Sequence, residues 1–165
     1  MRITALEEYG LRCLLQLARQ PEGDSLSLKE IARREGISTA NAGKVLWLLS
    51  NAGIVRSVRG VKGGYVLARA ASEISVGDII GVLDTEAMDD HCKSFSGAQE
   101  VCVHHDDCGI RPVLHTLNQT VHQVLGKITL AHLIHSEGDV NQRLFQLRRI
   151  PKTGELEATA FRSSM

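Results

Sequence analysis

The stretch Ser57-Val58-Arg59-Gly60-Val61-Lys62-Gly63-Gly64-Tyr65-Val66-Leu67-Ala68-Arg69 decides how the rest of the chain is read. Ile54 through Val58 has the composition of a strand, Arg59 through Gly64 supplies a glycine-rich turn, and Tyr65 through Ala68 returns as a second strand. The product is a two-stranded hairpin. Its tip carries Arg59 and Lys62, placed to straddle a phosphate backbone or to probe a minor groove.

Upstream of the hairpin, Ser38 is positioned to cap a helix running to about Asn51, with Val45, Leu46, Leu48 and Leu49 facing a core. Thr39, Ala40, Asn41, Gly43 and Lys44 lie near its start. Gly36 supplies a tight turn and Ile37 a core plug. Before them, Ser27-Leu28-Lys29-Glu30 has the pattern of a capping box that opens a short helix through Arg34. Residues 4–19 read as a first helix with an apolar stripe of Leu6, Leu11, Leu14, Leu15, Leu17 and Ala18, ended by Pro21 to Asp24. Helix, glycine turn, helix and hairpin in this order make a winged helix-turn-helix, in which the start of the second helix of the pair enters the major groove. Thr39, Asn41 and Lys44 are the candidates for base edges; Arg33, Arg34, Arg56, Arg59 and Lys62 are the candidates for phosphates or the minor groove.

The charge distribution agrees. The whole chain is neutral, but Lys29 to Arg69 holds eight basic and two acidic residues, a local +6. From Asp84 to Cys108 seven acidic residues face one lysine, a local −6. A basic face for a polyanion is thus followed by a region of different purpose.

Ser75-Val76-Gly77-Asp78 reads as another helix start, leading through Ile79, Ile80, Val82 and Leu83. Residues 85–109 keep no period and hold Cys92, Cys102 and Cys108 together with His91, His104 and His105. Thiolates select soft metals and iron–sulfur clusters. The nine and five residues between these cysteines lack the short knuckle spacing of structural zinc. The residues alone leave zinc, a cluster and free thiols open. Cys13, among Leu11, Leu14 and Leu17, reads as a small buried hydrophobe instead.

After Pro112, the residues Leu114, Leu117, Val121, Val124, Ile128 and Ala131 recur at heptad spacing. A helix over 111–135 would be roughly 37 Å long at ~1.5 Å per residue, a seam that calls for a second copy of the chain. The remaining residues read as a polar tail. The expected organisation is a reader at 1–84, a cysteine loop at 85–109, a dimerisation helix at 110–137 and a tail at 138–165. The fold class is mainly α with a small two-stranded β wing.

No C-x-x-C dithiol, phosphate-binding glycine loop before a helix, or Ser/His/Asp arrangement stands out, so an enzyme is not expected. Apolar runs fall short of the roughly 20 residues that span a bilayer, and Met1-Arg2-Ile3-Thr4 does not open a signal peptide. No membrane partner is expected. The chain reads as cytoplasmic, with cysteines reduced unless they hold metal or sense redox state.

The wing string, the opening Met1-Arg2-Ile3-Thr4, the Leu28-Lys29-Glu30-Ile31-Ala32 helix and the Asn51-Ala52-Gly53-Ile54-Val55 junction together resemble the Rrf2 family of bacterial transcription regulators. The resemblance covers residues 1 to about 137. It implies a homodimeric winged-helix protein on a partly palindromic double-stranded DNA operator. It also implies that the cysteine trio holds an iron–sulfur cluster, 2Fe-2S or 4Fe-4S. Nitric-oxide- and redox-sensing members use a carboxylate of the first helix that reaches over from the other subunit, and Glu8 stands at that position. His91, His104 and His105 are the other candidates for a fourth ligand. Two departures from the family pattern stand out. Asn41 and Ala42 replace a tyrosine and leucine near the start of the recognition helix, which leaves the operator sequence open. Arg111 replaces a histidine that the cluster-assembly regulator places three residues after its last cysteine, so that ligand set does not transfer. The expectation is a cluster-dependent regulator, acting as a repressor, that senses redox state, nitric oxide or iron supply. The alternatives are a zinc-stabilised or metal-free regulator and, more distantly, a small redox enzyme or cluster carrier.

Overall fold

Helix α1 (Ala5–Ala18) begins where the Thr4 hydroxyl accepts a hydrogen bond from the Glu7 N–H (3.3 Å). The Glu7 carboxylate accepts in return from the Thr4 N–H and from its hydroxyl. This reciprocal cap satisfies backbone donors that a helix start leaves without partners. Beyond it, Gly10, Cys13, Leu14 and Leu17 form the buried stripe of the helix. Burial pushes the Cys13 thiol up to about 11, which keeps it protonated and unreactive, as expected of a core residue. The computed structural model describes residues 3–21, 23–60, 63–84, 102–104 and 106–147.

Helix α2 (Leu28–Glu35) ends on Gly36, whose φ of +63° is the left-handed conformation that glycine adopts without strain. Helix α3 (Thr39–Asn51) follows at once, its first turn capped by Ser38 accepting from the Asn41 N–H (3.1 Å). Strands β1 (Val55–Val58) and β2 (Gly64–Leu67) pair antiparallel, with Val55 opposite Leu67 and Val58 opposite Gly64. The wing is therefore as expected, and it gains an unexpected neighbour. Leu26 exchanges both backbone hydrogen bonds with Tyr65 (3.1 and 2.8 Å), adding a one-residue third strand. Helix α4 (Val76–Leu83) has a full capping box between Ser75 and Asp78. Leu14, Ile31, Leu46, Leu49, Ile54, Ile79 and Leu83 are all but fully enclosed in the shared core.

The C-terminal part differs from the expectation. The helix expected over 111–135 is α5 (Ile110–Leu125), about 24 Å long at ~1.5 Å per residue. It stops at Gly126 because the backbone beyond is captured elsewhere. The Val76 N–H donates to the Ile128 carbonyl (2.7 Å), and the Leu130 N–H donates to the Ile74 carbonyl (2.9 Å). Leu114, Leu117, Val121 and Val124 thus share one helix, whereas Ile128 is buried against the reader and Ala131 belongs to α6 (Leu130–Leu133). No residue of α5 is buried, and Ile110, Val113, Leu117 and Val124 are exposed.

The chain divides into two units at residue 134. In the second, the expected polar tail opens with a helix, α7 (Glu137–Leu147), capped by Ser136, which accepts from the Asp139 N–H (3.3 Å). Among the described residues no helix is long and apolar enough to cross a membrane.

Two glycines give opposite predictions. A Cβ on Gly64 would sit 2.3 Å from the Leu26 carbonyl oxygen, so Gly64→Ala must push the third strand off the wing. We expect a loss of about 1–3 kcal/mol in urea unfolding, the range for forced overpacking. Gly81, inside α4, has nothing within 4 Å of such a carbon. Gly81→Ala should gain about 0.5–1 kcal/mol by reducing the freedom of the unfolded chain. Equal effects at the two positions would contradict the packing described here.

Candidate nucleic-acid interface and cysteine segment

The face that α3 leaves in water follows from the face that it buries. Ala42, Val45, Leu46 and Leu49 point into the core, so Ala40, Asn41, Lys44, Trp47 and Asn51 are exposed. Thr39, Asn41 and Lys44 therefore stand on the open surface of the second helix of the pair, near its N-terminus. Arg56 and Arg59 are exposed on the wing, where Gly60 turns the chain with φ +121°. Gly63 closes the turn by donating its N–H to the Gly60 carbonyl (2.8 Å). Lys62 lies outside the described residues.

The arginines of α2 are already engaged. The Ser27 hydroxyl accepts from the Glu30 N–H (3.2 Å), but the Glu30 carboxylate does not complete the expected capping box. It takes two hydrogen bonds from Arg33 (3.0 and 2.9 Å) and one from Arg34 (2.7 Å). These hydrogen bonds, Arg33 first, hold the Glu30 carboxyl down to about 2, so it is ionised at any pH at which DNA binding is measured. Arg33 and Arg34 share one anion before any phosphate arrives.

A second network ties α1 to the turn of the helix pair. Arg12 donates from Nε to the Glu35 carboxylate (2.7 Å) and from Nη2 to the Glu35 carbonyl, and Gln16 donates to the other Glu35 oxygen. Arg12 also donates from Nη1 to Glu8 (3.2 Å). Both carboxylates hold the guanidinium in its charged form, Glu35 contributing most. Glu8 is on the outer surface of α1 with its side chain 58% exposed, whereas its neighbour Glu7 is buried in the N-terminal cap.

Of the cysteine trio, Cys102 and Cys108 are free thiols and half-buried; Cys92 lies outside the described residues, as do His91 and His105. His104 is exposed, and its carbonyl accepts from Arg111 (3.5 Å). Cys108 runs directly into α5, its carbonyl accepting from the Arg111 N–H (3.3 Å). Among the described residues no three His, Cys, Asp or Glu side chains are grouped to hold a metal. The structure thus brings the DNA-facing candidates together on α2, α3 and the wing. Among the described residues it does not group the candidate ligands Cys102, Cys108, His104 and Glu8.

The model of the Rrf2 family, described as iron-dependent transcriptional regulators, matches residues 3–136. The chain belongs to the Rrf2 family. As a member it is a DNA-binding transcriptional regulator and not an enzyme. It is 32% identical to the HTH-type transcriptional regulator NsrR of Halalkalibacterium halodurans over 148 residues, covering 90% of this chain and 99% of that protein. Its structure resembles T. potens IscR with a TM-score of 0.61 and 33% identity, over 79% of this chain and 84% of that one. It resembles CymR, the global cysteine regulator of B. subtilis, equally well, with a TM-score of 0.62 and 31% identity over 81% and 96% of the two chains.

Two residues of this Rrf2 chain carry little signal in the sequence. Trp47 stands between core leucines, although helical spacing places it with Lys44. Arg12 lies four residues after Glu8, a spacing that signals an ion pair within the helix but not its longer reach to Glu35.

The Glu30 clamp yields a prediction for this Rrf2 reader. Glu30→Gln removes the competing anion, so Arg33 and Arg34 become available to phosphates. Affinity for duplex DNA of unrelated sequence should rise at low salt. The slope of log affinity against log salt should steepen by up to about 2, near 0.9 for each phosphate gained. An unchanged slope would place both arginines away from the DNA.

Proposed function

We propose that this protein is a homodimeric repressor of the Rrf2 family whose DNA binding is governed by an iron–sulfur cluster, 2Fe-2S or 4Fe-4S, held by Cys92, Cys102 and Cys108. Glu8 of the partner subunit completes the ligand set in this reading. The observation that carries it is the pair of free, half-buried thiols at Cys102 and Cys108, on the stretch that runs directly into α5, whose Ile110, Val113, Leu117 and Val124 are exposed. The donor set fits such a group chemically: thiolates bind the iron firmly, and a carboxylate is the more displaceable ligand that a sensor needs. When bound, the cluster supplies a centre that responds to oxidants, nitric oxide or iron supply. The family model's iron dependence supports the same reading.

The chain's own residues then connect sensor and reader. Glu8 is paired to Arg12, and Arg12 is fixed to both the carboxylate and the carbonyl of Glu35. Glu35 immediately precedes the Gly36 turn that aims α3. A change in what Glu8 holds is therefore felt two side chains away, at the root of the recognition helix. Dimerisation through the exposed face of α5 would bury Ile110, Val113, Leu117 and Val124. Half-sites about one helical turn (~34 Å) apart make operator binding sensitive to small shifts between the two readers.

The equal likeness to CymR, described as a global cysteine regulator, leaves a second reading, a regulator whose cysteines carry zinc or no metal. Anaerobic purification followed by absorption spectroscopy and iron, sulfide and zinc analysis separates the two. Brown protein with matched iron and sulfide is expected, and Cys102→Ala should abolish both. Colourless protein with one zinc per chain, or no metal and failed reconstitution, would replace the first reading with the second.

A further inference from the structure

Trp47 is the only tryptophan of the chain. It is 62% exposed in the middle of α3, next to the fully buried Leu46. An indole left in water forgoes the stabilisation that burial of a large apolar side chain contributes. Among the described residues of α2, α3 and the wing, Trp47 is the one large hydrophobic side chain left exposed, and it is set among cations and not among other apolar groups. Its stripe is Ala40, Lys44, Trp47 and Asn51, the face left over once Ala42, Val45, Leu46 and Leu49 have gone to the core. The helix carries no acidic residue. Lys44 stands one turn before Trp47, and Arg56 and Arg59 are exposed on the adjoining wing. A partner for this face must tolerate positive charge and also offer apolar surface, as the sugar–phosphate backbone of DNA does.

Position along the helix determines which part of the DNA is reached. Trp47 lies eight residues beyond Thr39, about 12 Å along the axis at ~1.5 Å per residue. The major groove is also about 12 Å wide. With the start of α3 inserted, Trp47 therefore arrives at the wall of the groove and not at its floor. There an indole can lay its ring on a deoxyribose and donate its Nε1–H to a phosphate oxygen.

We infer that Trp47 is a backbone contact of the recognition helix, clamping the groove wall and contributing affinity without choosing sequence. The inference rests on the DNA-reading role of α3. Because the contact ignores sequence, a mixed-sequence 24-base-pair duplex is a sufficient probe at low salt. The full-length protein is tested both as purified anaerobically and after cluster removal. Binding is followed by anisotropy of a labelled duplex, and Trp47 by its own emission with an unlabelled one.

In the form that binds, tryptophan emission should be quenched over the same concentration range as the anisotropy rise. Trp47→Ala should weaken binding about tenfold with an unchanged salt slope, since no charge is lost, and with an unchanged melting temperature. Trp47→Phe should fall between the two. An anisotropy rise without any change in emission would overturn the inference while leaving α3 as the reader. Emission that follows protein dilution but not DNA would assign Trp47 to an interface between copies and overturn it as well. If neither signal responds to duplex in either form, the DNA-reading role of α3 fails, and the inference fails with it.

Discussion

A side chain at position 10 would occupy space that Leu83 already fills: a Cβ there would meet the Leu83 Cδ1 at 2.1 Å. Gly10 lets α4 lie directly on α1, and Leu83, 1% exposed, closes the core between them. Most of the first unit depends on this approach. Helix α1 packs against α2, α3, α4, α6 and β2, so it is the common support of the recognition helix, the wing and the C-terminal elements. Side chains in such interiors are close-packed, and a shift of one element has to be taken up by its neighbours. The helix that carries Glu8 on its outer surface is therefore the same helix that holds the reader together on its inner one.

The cysteine segment is tethered at both flanks to a single element. It leaves from the end of α4 and returns through Cys108 into α5. The far end of α5 is then bonded back to the start of α4, through Val76 with Ile128 and through the bridge between Ser75 and Thr129. Gly77 makes the closeness possible, since a Cβ there would stand 3.0 Å from the Gly126 nitrogen. Helix α4, itself pressed onto α1, thus anchors the beginning of the segment and the end of the helix that follows it. It is the shared contact of α5 and of α1, the support of the reader.

What could be read from the chain was what local chemistry determines. Serine caps at residues 27, 38 and 75, the left-handed turn at Gly36 and the glycines of the wing each act over a few residues. The order and hand of the reader follow from them. The heptad seam misled because its last two members have the right spacing but the wrong partners. Backbone hydrogen bonds to residues 74 and 76 end α5 at Gly126, and a periodic pattern carries no trace of such distant bonds. Helix α7 was legible in principle from Ser136 and Asp139, the same serine-and-acid cap that opens α4, but weak apolar periodicity hid it. Glu30 was misassigned for the opposite reason. Two arginines one turn away compete for its carboxylate more strongly than a single N–H does. The ligand set could only be named by resemblance, because its members are far apart in the chain and one of them is expected from a second copy.

Formal charge therefore overstates how much of the basic segment is available to DNA. The two acidic residues within it are not scattered screening charges. Glu30 is spent on Arg33 and Arg34, whereas Glu35 is spent on Arg12, a cation from outside the segment. The neutralisation falls on Arg33 and Arg34 of α2, whereas Lys29 on α2, Lys44 on α3 and Arg56 and Arg59 on the wing are exposed. Phosphate contacts set orientation, and base edges set sequence choice. In the proposed reading Lys44, Arg56 and Arg59 would orient the reader, while the paired arginines of α2 and the link from Glu35 to Arg12 brace the turn that aims α3.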